Sequence, residues 1–491
     1  MKVNYQSNAS TQFRVLSELQ CEEIYFAMLH VLEQTGVDVY NDEALQLLKS
    51  NGAIVDDHRV YIPSQMVKSA LASAPPRFTV YGRNGTKALL IEPNRVYFGP
   101  GPTCPNFLDP NTDERRMYLR KDAAATALVC DALENIDFVM SLGTISDVEA
   151  LHEVSAERSE QSLADVYEFV EMMENTVKPI VAWSFSLESC KDIHRIALAI
   201  AGGEEKFARK PNYFFYAEPL SPLTSNREAS EKLLYCVEHS IPLIYTPCPI
   251  AGGTAPATFA GVLVNALAEA IHGLVIAQLK RPGTPFVIGG VVSIMDMSDM
   301  VLSYGAPELG LISAALTDVV KYLGMPMWST GGCTDAKIVD EQAALESALS
   351  VAMAQLSGAN LVHDVGYIES ALTGSLDMLV MSDEIISMVR HITRGIEVNE
   401  ETLAVDVIDE VKPGGNFLET EHTFKHYRRE FWFPKLMDRR NHGDWVEAGG
   451  ETLGDRANDK VKNILATHTV PPLSKEVREK IEDILAIAEN R

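Results

Sequence analysis

Aromatic and acidic side chains stand at the ends of several short apolar runs in this sequence, and their chemistry suits a cationic ligand. The faces of aromatic rings attract cations, and quaternary ammonium groups are commonly bound by cages of such rings. Glu218 and Asp335 could add a counter-charge, although loop carboxylates also cap helices. Each ring could instead belong to the hydrophobic core. The cage candidates are Phe98, Trp183, Phe185, Tyr216 and Tyr245.

His363 and Cys333 are two further side chains with chemical potential at the ends of apolar runs. His363 precedes Asp364 and could orient a substrate, or it could simply be satisfied by neighbouring backbone. Cys333 lies in the turn GGCTD with no base close in sequence, which favours packing over a nucleophilic role. These two residues could converge on a metal with Cys104 and Cys248. Their spacing does not require it, and we expect no metal site.

Eight apolar runs alternate with longer helical segments, which predicts parallel β-strands joined by helices. Eight strands are the number of a closed (β/α)8 barrel, whose functional residues follow the carboxyl ends of the strands. An open doubly wound sheet has the same alternation, but no GxGxxG motif follows the first run. We therefore expect an α/β fold, a (β/α)8 TIM barrel. The predicted strand ends are 97–100, 138–141, 180–183, 214–217, 243–246, 286–289, 327–330 and 361–364.

The regions on either side of the barrel differ from it in pattern. Residues 1–95 combine helical periodicity with β-forming runs and predict a helical and hairpin extension, with Asn84 and Gly85 as a two-residue hairpin turn. Residues 96–440 would form the barrel. Residues 441–491 are charged and predict a helical tail.

Composition narrows the classes of partner and location. The chain of 491 residues has 42 Lys and Arg against 68 Asp and Glu, a net charge of -26, so nucleic acid is not an expected partner. Its seven scattered cysteines contain no CxxC pair and suit free thiols in a reducing compartment. No signal peptide is visible, and the apolar stretch 261–279 contains Asn265, Glu269 and His272, so we expect no membrane span. These features predict a cytoplasmic location, and a metabolic barrel of this size is expected to form a homo-oligomer.

Two segments carry a resemblance to a known family. Residues 329–372, STGGCTDAKIVDEQAALESALSVAMAQLSGANLVHDVGYIESAL, run as strand end, glycine-rich turn, helix, loop and strand end. The second segment, LAVDVIDEVKPGGNFLETEHTFKHYRREFW, lies within 399–433. With these, residues 16–442 resemble the trimethylamine methyltransferase family. Trimethylamine members of that family carry pyrrolysine, expected near 331–335, whereas this sequence has only standard residues and is similar to the non-pyrrolysine, glycine betaine:corrinoid methyltransferase-like branch.

The resemblance implies methyl transfer from a quaternary amine to Co(I) of a cognate corrinoid protein. Glycine betaine is the first substrate expected, with proline betaine or carnitine as alternatives. Cobalamin would be carried by the partner, and this chain would bind no cofactor tightly.

A betaine would also need a group that holds its carboxylate. Backbone N–H groups of Gly331 and Gly332, those of the turn 252–254, or His363 are the candidates. The catalytic residue is not indicated. Two other functions remain open: a metal-dependent barrel lyase or hydrolase that uses Asp335 and His363, and a non-catalytic betaine-binding protein.

Overall fold

Three helices, a small sheet and a hairpin form the first part of the computed structural model, which describes residues 12–148 and 162–491. Asn41 starts the second helix by accepting the N–H of Ala44 at 2.9 Å. A π-helical turn, Val31–Thr35, extends the first helix to Gly36. The elements are α1 Glu18–His30, β1 Val37–Val39, α2 Asp42–Ser50, β2 Ile54–Asp56, β3 Arg59–Tyr61, α3 Ser64–Ser73, β4 Phe78–Tyr81 and β5 Ala88–Ile91.

The predicted hairpin is confirmed, but its predicted two-residue turn is wrong. Strands β4 and β5 pair antiparallel, and the loop between them spans 82–87. The N–H of Gly82 donates to the Lys87 carbonyl at 2.8 Å, which closes this wider loop. Asn84 and Gly85 lie at its tip, where Gly85 has a φ of 71° that glycine adopts readily.

Seven short strands form one curled, all-parallel sheet at the centre of the described chain, in the order β6-β18-β17-β14-β12-β10-β9. Smaller sheets and hairpins lie in the loops that follow these strands. The bounds are β6 Tyr97–Phe98, β7 Asn106–Leu108, β8 Arg115–Met117, β9 Ile180–Ala182, β10 Tyr213–Ala217, β11 Thr224–Ser225, β12 Leu243–Tyr245, β13 Ile250–Ala251, β14 Phe286–Gly289, β15 Ser293–Asp296, β16 Val301–Leu302, β17 Met327–Thr330, β18 Leu361–His363, β19 Tyr367–Ile368 and β20 Thr373–Ser375.

The predicted run 138–141 is the one that does not form a strand. Val139 makes a single parallel bridge to Ile180 at one edge of the sheet. Beside it, the N–H of Asp137 donates to the carbonyl of Phe98, at the other edge, at 2.7 Å. The α/β class and seven of the eight predicted strands are therefore confirmed, and the remaining run, 138–141, contacts both edge strands.

Helices cover the outer face of the sheet. Helix α9 is long and apolar enough to cross a membrane by composition, but 72% of its most apolar window is buried, because it packs against α1, α3, α8 and β14. The C-terminal helices α17 and α18 pack on α12, α4 and α6. The bounds are α4 Arg120–Ala132, α5 Ala164–Asn175, α6 Leu187–Ala201, α7 Glu204–Arg209, α8 Arg227–Glu238, α9 Phe259–Lys280, α10 Pro307–Tyr322, α11 Glu341–Ser357, α12 Leu376–Thr393, α13 Glu400–Leu403, α14 Val405–Val411, α15 Glu421–Glu430, α16 His442–Glu447, α17 Leu453–Thr467 and α18 Lys475–Glu489.

The hairpin β4–β5 closes the amino-terminal end of the curled sheet. The N–H of Tyr81 donates to the carbonyl of Pro211, just before β10, at 2.8 Å, and the Phe78 ring lies 6.0 Å from that of Phe214. The hairpin's apolar side chains join those of the sheet's inner face in one buried cluster. Access to the interior is consequently left at the carboxyl end of the strands, which we call the mouth. The buried cluster comprises Val80, Leu89, Ile91, Phe138, Met140, Val181, Phe214, Tyr216, Ile244, Val287, Trp328 and Leu361.

Candidate functional site

Three rings from different strands meet inside the sheet near the mouth. The Trp328 ring lies 5.6 Å from Tyr216 and 4.5 Å from the His363 imidazole, and Tyr216 lies 6.3 Å from His363. Each residue points inward because side chains alternate between the two faces of a strand. Tyr216 keeps 9% of its surface exposed, whereas Trp328 is fully buried. Tyr216 thus forms the floor of the mouth, with the other two rings behind it.

Trp183 and Phe185 follow the neighbouring strand β9 and are half-buried. Their rings are 4.6 Å apart in a T-shaped arrangement. Helix α5 positions both: the Trp183 indole N–H donates to Glu168 at 3.2 Å, and the backbone N–H of Phe185 donates to Asp165 at 2.8 Å. Trp183 also packs against the inner-face cluster that contains Tyr216. These three predicted cage residues are therefore brought together by the fold.

Phe98 and Tyr245 lie on the other face of the sheet, against the helices. The Arg390 guanidinium sits 5.5 Å from the centre of the Phe98 ring. The Tyr245 hydroxyl hydrogen-bonds Ser225 at 3.1 Å, and its ring packs edge-on to His272 of α9. Phe98 and Tyr245 are both fully buried. The structure therefore separates these two residues from the rest of the predicted cage.

Glu218 brings a carboxylate to the mouth, immediately beyond β10. It accepts a hydrogen bond from the Tyr216 hydroxyl at 3.0 Å. The Glu218 side chain is exposed to water, yet desolvation by the protein around it raises the pKa of its carboxyl to about 7. Near neutral pH the carboxyl is consequently divided between its neutral and charged forms, and a bound cation would favour the charged form.

His363 and Asp364 form a second polar group at the end of β18. The Nδ1–H of His363 donates to the Ser329 carbonyl at 2.9 Å, so Nε2 carries the lone pair and faces Asp364 Oδ1 at 3.3 Å. Burial lowers the pKa of His363 to about 3. Burial, with a smaller contribution from the Glu218 charge, raises the pKa of Asp364 well above its usual range. Both directions indicate a neutral pair, in which the protonated carboxyl of Asp364 donates to Nε2.

Asp364 is held in an unusual backbone conformation, with a φ of 73°. A side chain at Gly101 would collide with it, since a Cβ there would lie 2.1 Å from Asp364 Oδ1 and 2.3 Å from the Tyr367 hydroxyl. Asp364 Oδ2, Trp328 Nε1 and Thr330 Oγ1 are buried without a protein partner. Buried polar atoms are seldom left unpaired, so these atoms indicate a place for a ligand or water.

The glycine turns predicted to bind a carboxylate have already used their N–H groups. Gly331 donates to the His363 carbonyl at 3.1 Å, and Gly332 donates to Ser350 Oγ at 3.0 Å. In the turn 252–254, all three N–H groups donate to neighbouring backbone carbonyls at 2.9 to 3.0 Å. Neither turn therefore presents free donors to the mouth.

Asp335 and Cys333 organise the loops around the mouth. Asp335 accepts the N–H of Tyr304 at 2.8 Å and the hydroxyl of Ser370 at 2.7 Å, and it also accepts the hydroxyl of Ser303. Its carboxylate is thus engaged by protein donors. Cys333 is fully buried, and burial raises the pKa of its thiol well above the usual range, which fits the predicted packing role.

Sequence reasoning missed Trp328 and Asp364 as site residues. Trp328 lies within the seventh predicted run, and Asp364 closes the eighth, so both occupied predicted strand ends. Only the assembled sheet shows that these two side chains face its interior and that some of their polar atoms lack a partner.

Comparisons with known proteins find similarity along the whole chain. A family model described as trimethylamine methyltransferase (MTTB) matches residues 1–490. Trimethylamine methyltransferase MttB of Desulfitobacterium hafniense (strain DSM 10664 / DCB-2) is 32% identical over 476 residues, covering 96% of this chain and 94% of that protein. Glycine betaine methyltransferase of Desulfitobacterium hafniense (strain Y51) is 31% identical over 480 residues, covering 97% of each. The solved Methanosarcina barkeri monomethylamine methyltransferase (MtmB) shares the fold, with a TM-score of 0.52 at 11% identity over 98% of this chain and 89% of that one.

The neutral state of Asp364 predicts a pH-dependent effect of Asp364→Asn. In the unfolded chain the carboxyl ionises near pH 4, so the contribution of Asp364 to wild-type stability falls as pH rises above that value, by up to about 1.4 kcal/mol per unit until the raised folded pKa is reached. Asparagine tolerates the positive φ and can donate to His363 Nε2 without ionising. Urea unfolding from pH 4 to 8 should show the variant gaining stability relative to wild type as pH rises.

The exposed Asp483 of α18 offers a matched control. Asp483→Asn should change the free energy of unfolding by no more than about 0.5 kcal/mol at any of these pH values. A stability difference between Asp364→Asn and wild type that stays constant from pH 4 to 8 would contradict the neutral pair.

Proposed function

The chain belongs to the trimethylamine methyltransferase family, and we propose that it transfers a methyl group from a quaternary amine to Co(I) of a cognate corrinoid protein. Its relatives are amine and betaine methyltransferases, so it is an amine methyltransferase. Glycine betaine is our first candidate substrate because one relative is named for it, with proline betaine and carnitine as alternatives. The observation that carries the proposal is the meeting of Trp183, Tyr216 and Glu218 at the mouth.

The chemistry of a quaternary ammonium fits what these side chains can do. Its C–N bond breaks with the electron pair remaining on nitrogen, and the amine leaves neutral without a proton donor. The corrinoid supplies the cobalt nucleophile that accepts the methyl group. This chain's residues would bind the cation by ring faces and the Glu218 carboxylate, orient the methyl group toward the mouth and exclude water.

A betaine carboxylate would need donors other than the predicted glycine turns. The indole N–H of Trp328 and the hydroxyl of Thr330 are buried and unpartnered on the inner face of β17. They could donate to a carboxylate that enters beyond Tyr216. The neutral state of Asp364 favours this arrangement, because a second fixed negative charge there would repel the carboxylate.

We interpret the curled sheet as a complete (β/α)8 barrel, with 138–141 as the eighth strand. Hydrogen bonds and a bridge from this run to both edge strands support the interpretation. The extension 1–95 and the tail 441–491 would then be additions to a barrel domain at 96–440. All seven cysteines are free, which fits the cytoplasmic location that we propose.

Several exposed apolar side chains lie in the segments that connect the carboxyl ends of the parallel strands to the following helices, and we call this set the rim. Several of them are methionines, whose flexible side chains adapt to a partner's surface. We propose that the corrinoid protein binds this rim, because its cofactor must reach the mouth. The rim consists of Met117, Leu220, Phe259, Met297, Met300, Val301, Ile338 and Leu372.

The alternative function, a metal-dependent lyase or hydrolase, would require Asp335 and His363 to act together. Those side chains have separate partners, Asp335 in the loops and His363 with Asp364. Over 12–148 and 162–491, no three His, Cys, Asp or Glu side chains converge as a metal site. No contact in the described chain favours that function over methyl transfer.

Methylation of reduced Co(I) cobalamin, followed by its absorbance, tests the reaction class. With a panel of quaternary and tertiary methylamines, we expect turnover with a quaternary amine and none with trimethylamine. Tight binding of a quaternary amine without methyl transfer would instead indicate a betaine-binding protein. Stoichiometric zinc together with hydrolysis would indicate the lyase or hydrolase.

Glu218→Gln should weaken binding of the quaternary amine by about ten- to a hundredfold, the range for a contact between charged groups. In wild type the affinity should rise with pH through about 7, as Glu218 loses its proton, and the variant should lack this rise. Calorimetric titration from pH 5.5 to 8.5 measures both effects. Glu205→Gln, at an exposed site on α7, is the matched control. A pH profile shared by Glu218→Gln and wild type would exclude Glu218 as the counter-charge.

Met300→Asp should raise the KM for the corrinoid protein and leave the rate with free cobalamin unchanged, because it alters the rim and not the interior. Met300 is 66% exposed, so the substitution should fold normally. Leu345→Asp, on the exposed face of α11, is the control. Equal losses with the corrinoid protein and with free cobalamin would mean that Met300 acts on the amine site instead of on docking.

A further inference from the structure

Helix α9 is long and apolar, yet it carries a fully buried carboxylate, Glu269, near its centre. Burying a carboxylate is strongly unfavourable unless hydrogen bonds compensate for the lost water. The Glu269 carboxylate accepts three of them. The donors are the Ser221 hydroxyl at 2.8 Å, the backbone N–H of Leu223 at 2.8 Å and the side-chain amide of Asn265 at 2.7 Å. Two of these donors belong to the loop that also carries Glu218.

That loop, residues 218–223 between β10 and β11, is here called the β10 loop. At its start, Glu218 follows β10 directly and accepts the hydroxyl of Tyr216. At its far end, the N–H of Leu220 donates to the Thr224 carbonyl at 2.9 Å, and the N–H of Thr224 donates back at 3.0 Å. These two bonds close a tight turn, so the placement of the turn also constrains the few residues between it and the strand.

Leu223 is held in a strained conformation at the far end of the β10 loop. Its φ of 49° lies in the left-handed region, which bulky residues seldom adopt. Its N–H donates to Glu269, and its carbonyl accepts the N–H of Asp38 in β1 at 2.9 Å. The next residue, Thr224, pairs with Asp38 where β11 runs parallel to β1. Because a strained residue persists only where its surroundings determine it, these contacts indicate that the shape of the loop is imposed.

Glu269 lies close to Glu218 without reaching the mouth itself. Burial raises the pKa of Glu269 to about 7; its hydrogen-bond donors oppose this rise, and the charge of Glu218 adds to it. Glu269 is fully buried, whereas Glu218 is exposed to water. One carboxyl group therefore holds the β10 loop from α9, and the other stands at the start of the same loop.

We propose that Glu269 is a positioning residue for the amine site, which holds the β10 loop so that Glu218 stays beside Tyr216 at the mouth. This role rests on the proposed function, because Glu218 serves as a counter-charge only for a cationic substrate. Without the Glu269 carboxylate, the far end of the loop would lose two of its contacts. Glu218 would then occupy a wider range of positions, and its attraction to a bound ammonium group would weaken.

A double-mutant cycle with Glu218→Gln separates positioning from general stabilisation of the fold. Glu269→Gln keeps the size of the side chain but cannot accept all three hydrogen bonds, so the affinity for the quaternary amine should fall about fivefold or more. In a protein that already carries Glu218→Gln, the same substitution should change the affinity by less than about twofold, because the group that it positions is absent. Calorimetric titration at constant pH with glycine betaine, proline betaine and carnitine measures these affinities.

Ser221→Ala is a milder second variant, which removes one contact from the side of the loop. It should lower the affinity about two- to fivefold when Glu218 is present and leave it nearly unchanged when Glu218 is replaced by glutamine. This variant keeps the buried carboxylate in place, so it should fold even if Glu269→Gln does not.

Glu384→Gln is the matched control. Glu384 is also buried, on α12, and accepts the backbone N–H groups of 435–437 at 2.8 to 3.1 Å, outside the loops of the mouth. Its replacement should lower the free energy of unfolding and leave the amine affinity unchanged. Hydrogen exchange measured by mass spectrometry without any amine should become faster at 220–225 in Glu269→Gln and at 435–437 in Glu384→Gln.

Three results would overturn the proposal. They are equal losses of affinity from Glu269→Gln with and without Glu218, a loss in Glu384→Gln as large as that in Glu269→Gln, and unchanged exchange at 220–225 in Glu269→Gln. Any of these with a wild type that binds a quaternary amine leaves the proposed function standing. A wild type that binds none of the three amines would instead overturn the proposed function, and the role of Glu269 in it.

Discussion

The two-residue period of the parallel strands decides which side chains can meet in this protein. On β10 the period turns Tyr216 inward, and the residue two positions on, Glu218, continues on the same side. On β12 it turns Tyr245 outward to α9, although that tyrosine also ends an apolar run. The composition of the strand ends therefore identifies aromatic residues as candidates. The direction in which each side chain points from its strand decides which of them face the interior. A shift of one residue in β10 or β12 would exchange a ring that faces the interior of the sheet for one that packs against the helices.

The interior of the sheet avoids uncompensated charge. A buried carboxylate without a partner is strongly unfavourable, and Asp364 meets this constraint by keeping its proton beside a neutral His363. Glu218, closer to water, is balanced near neutral pH. The free site is thus nearly neutral, and a cation is the ligand that makes ionisation of Glu218 favourable. A site of this kind would prefer an ammonium group to a neutral amine because of this proton equilibrium as well as the ring faces.

Much of the fold was predictable because its determinants are local. Seven apolar runs formed the predicted strands, and the helix cap at Asn41 is set by residues within one turn. The site was predictable only in part. Trp183, Tyr216 and Glu218 remain candidates that the structure places near one another, but the N–H groups of Gly331 and Gly332 are used by His363 and Ser350, which are distant in sequence. Such competition between partners depends on tertiary contacts, which spacing along the chain does not encode.

The net charge of the chain affects both which molecules approach the mouth and whether copies of the chain associate. A net charge of -26 attracts cationic amines toward the mouth over distances comparable to the Debye length, about 8 Å at physiological salt. The same charge repels a second copy of the chain. Self-association would therefore need buried apolar area that outweighs this repulsion.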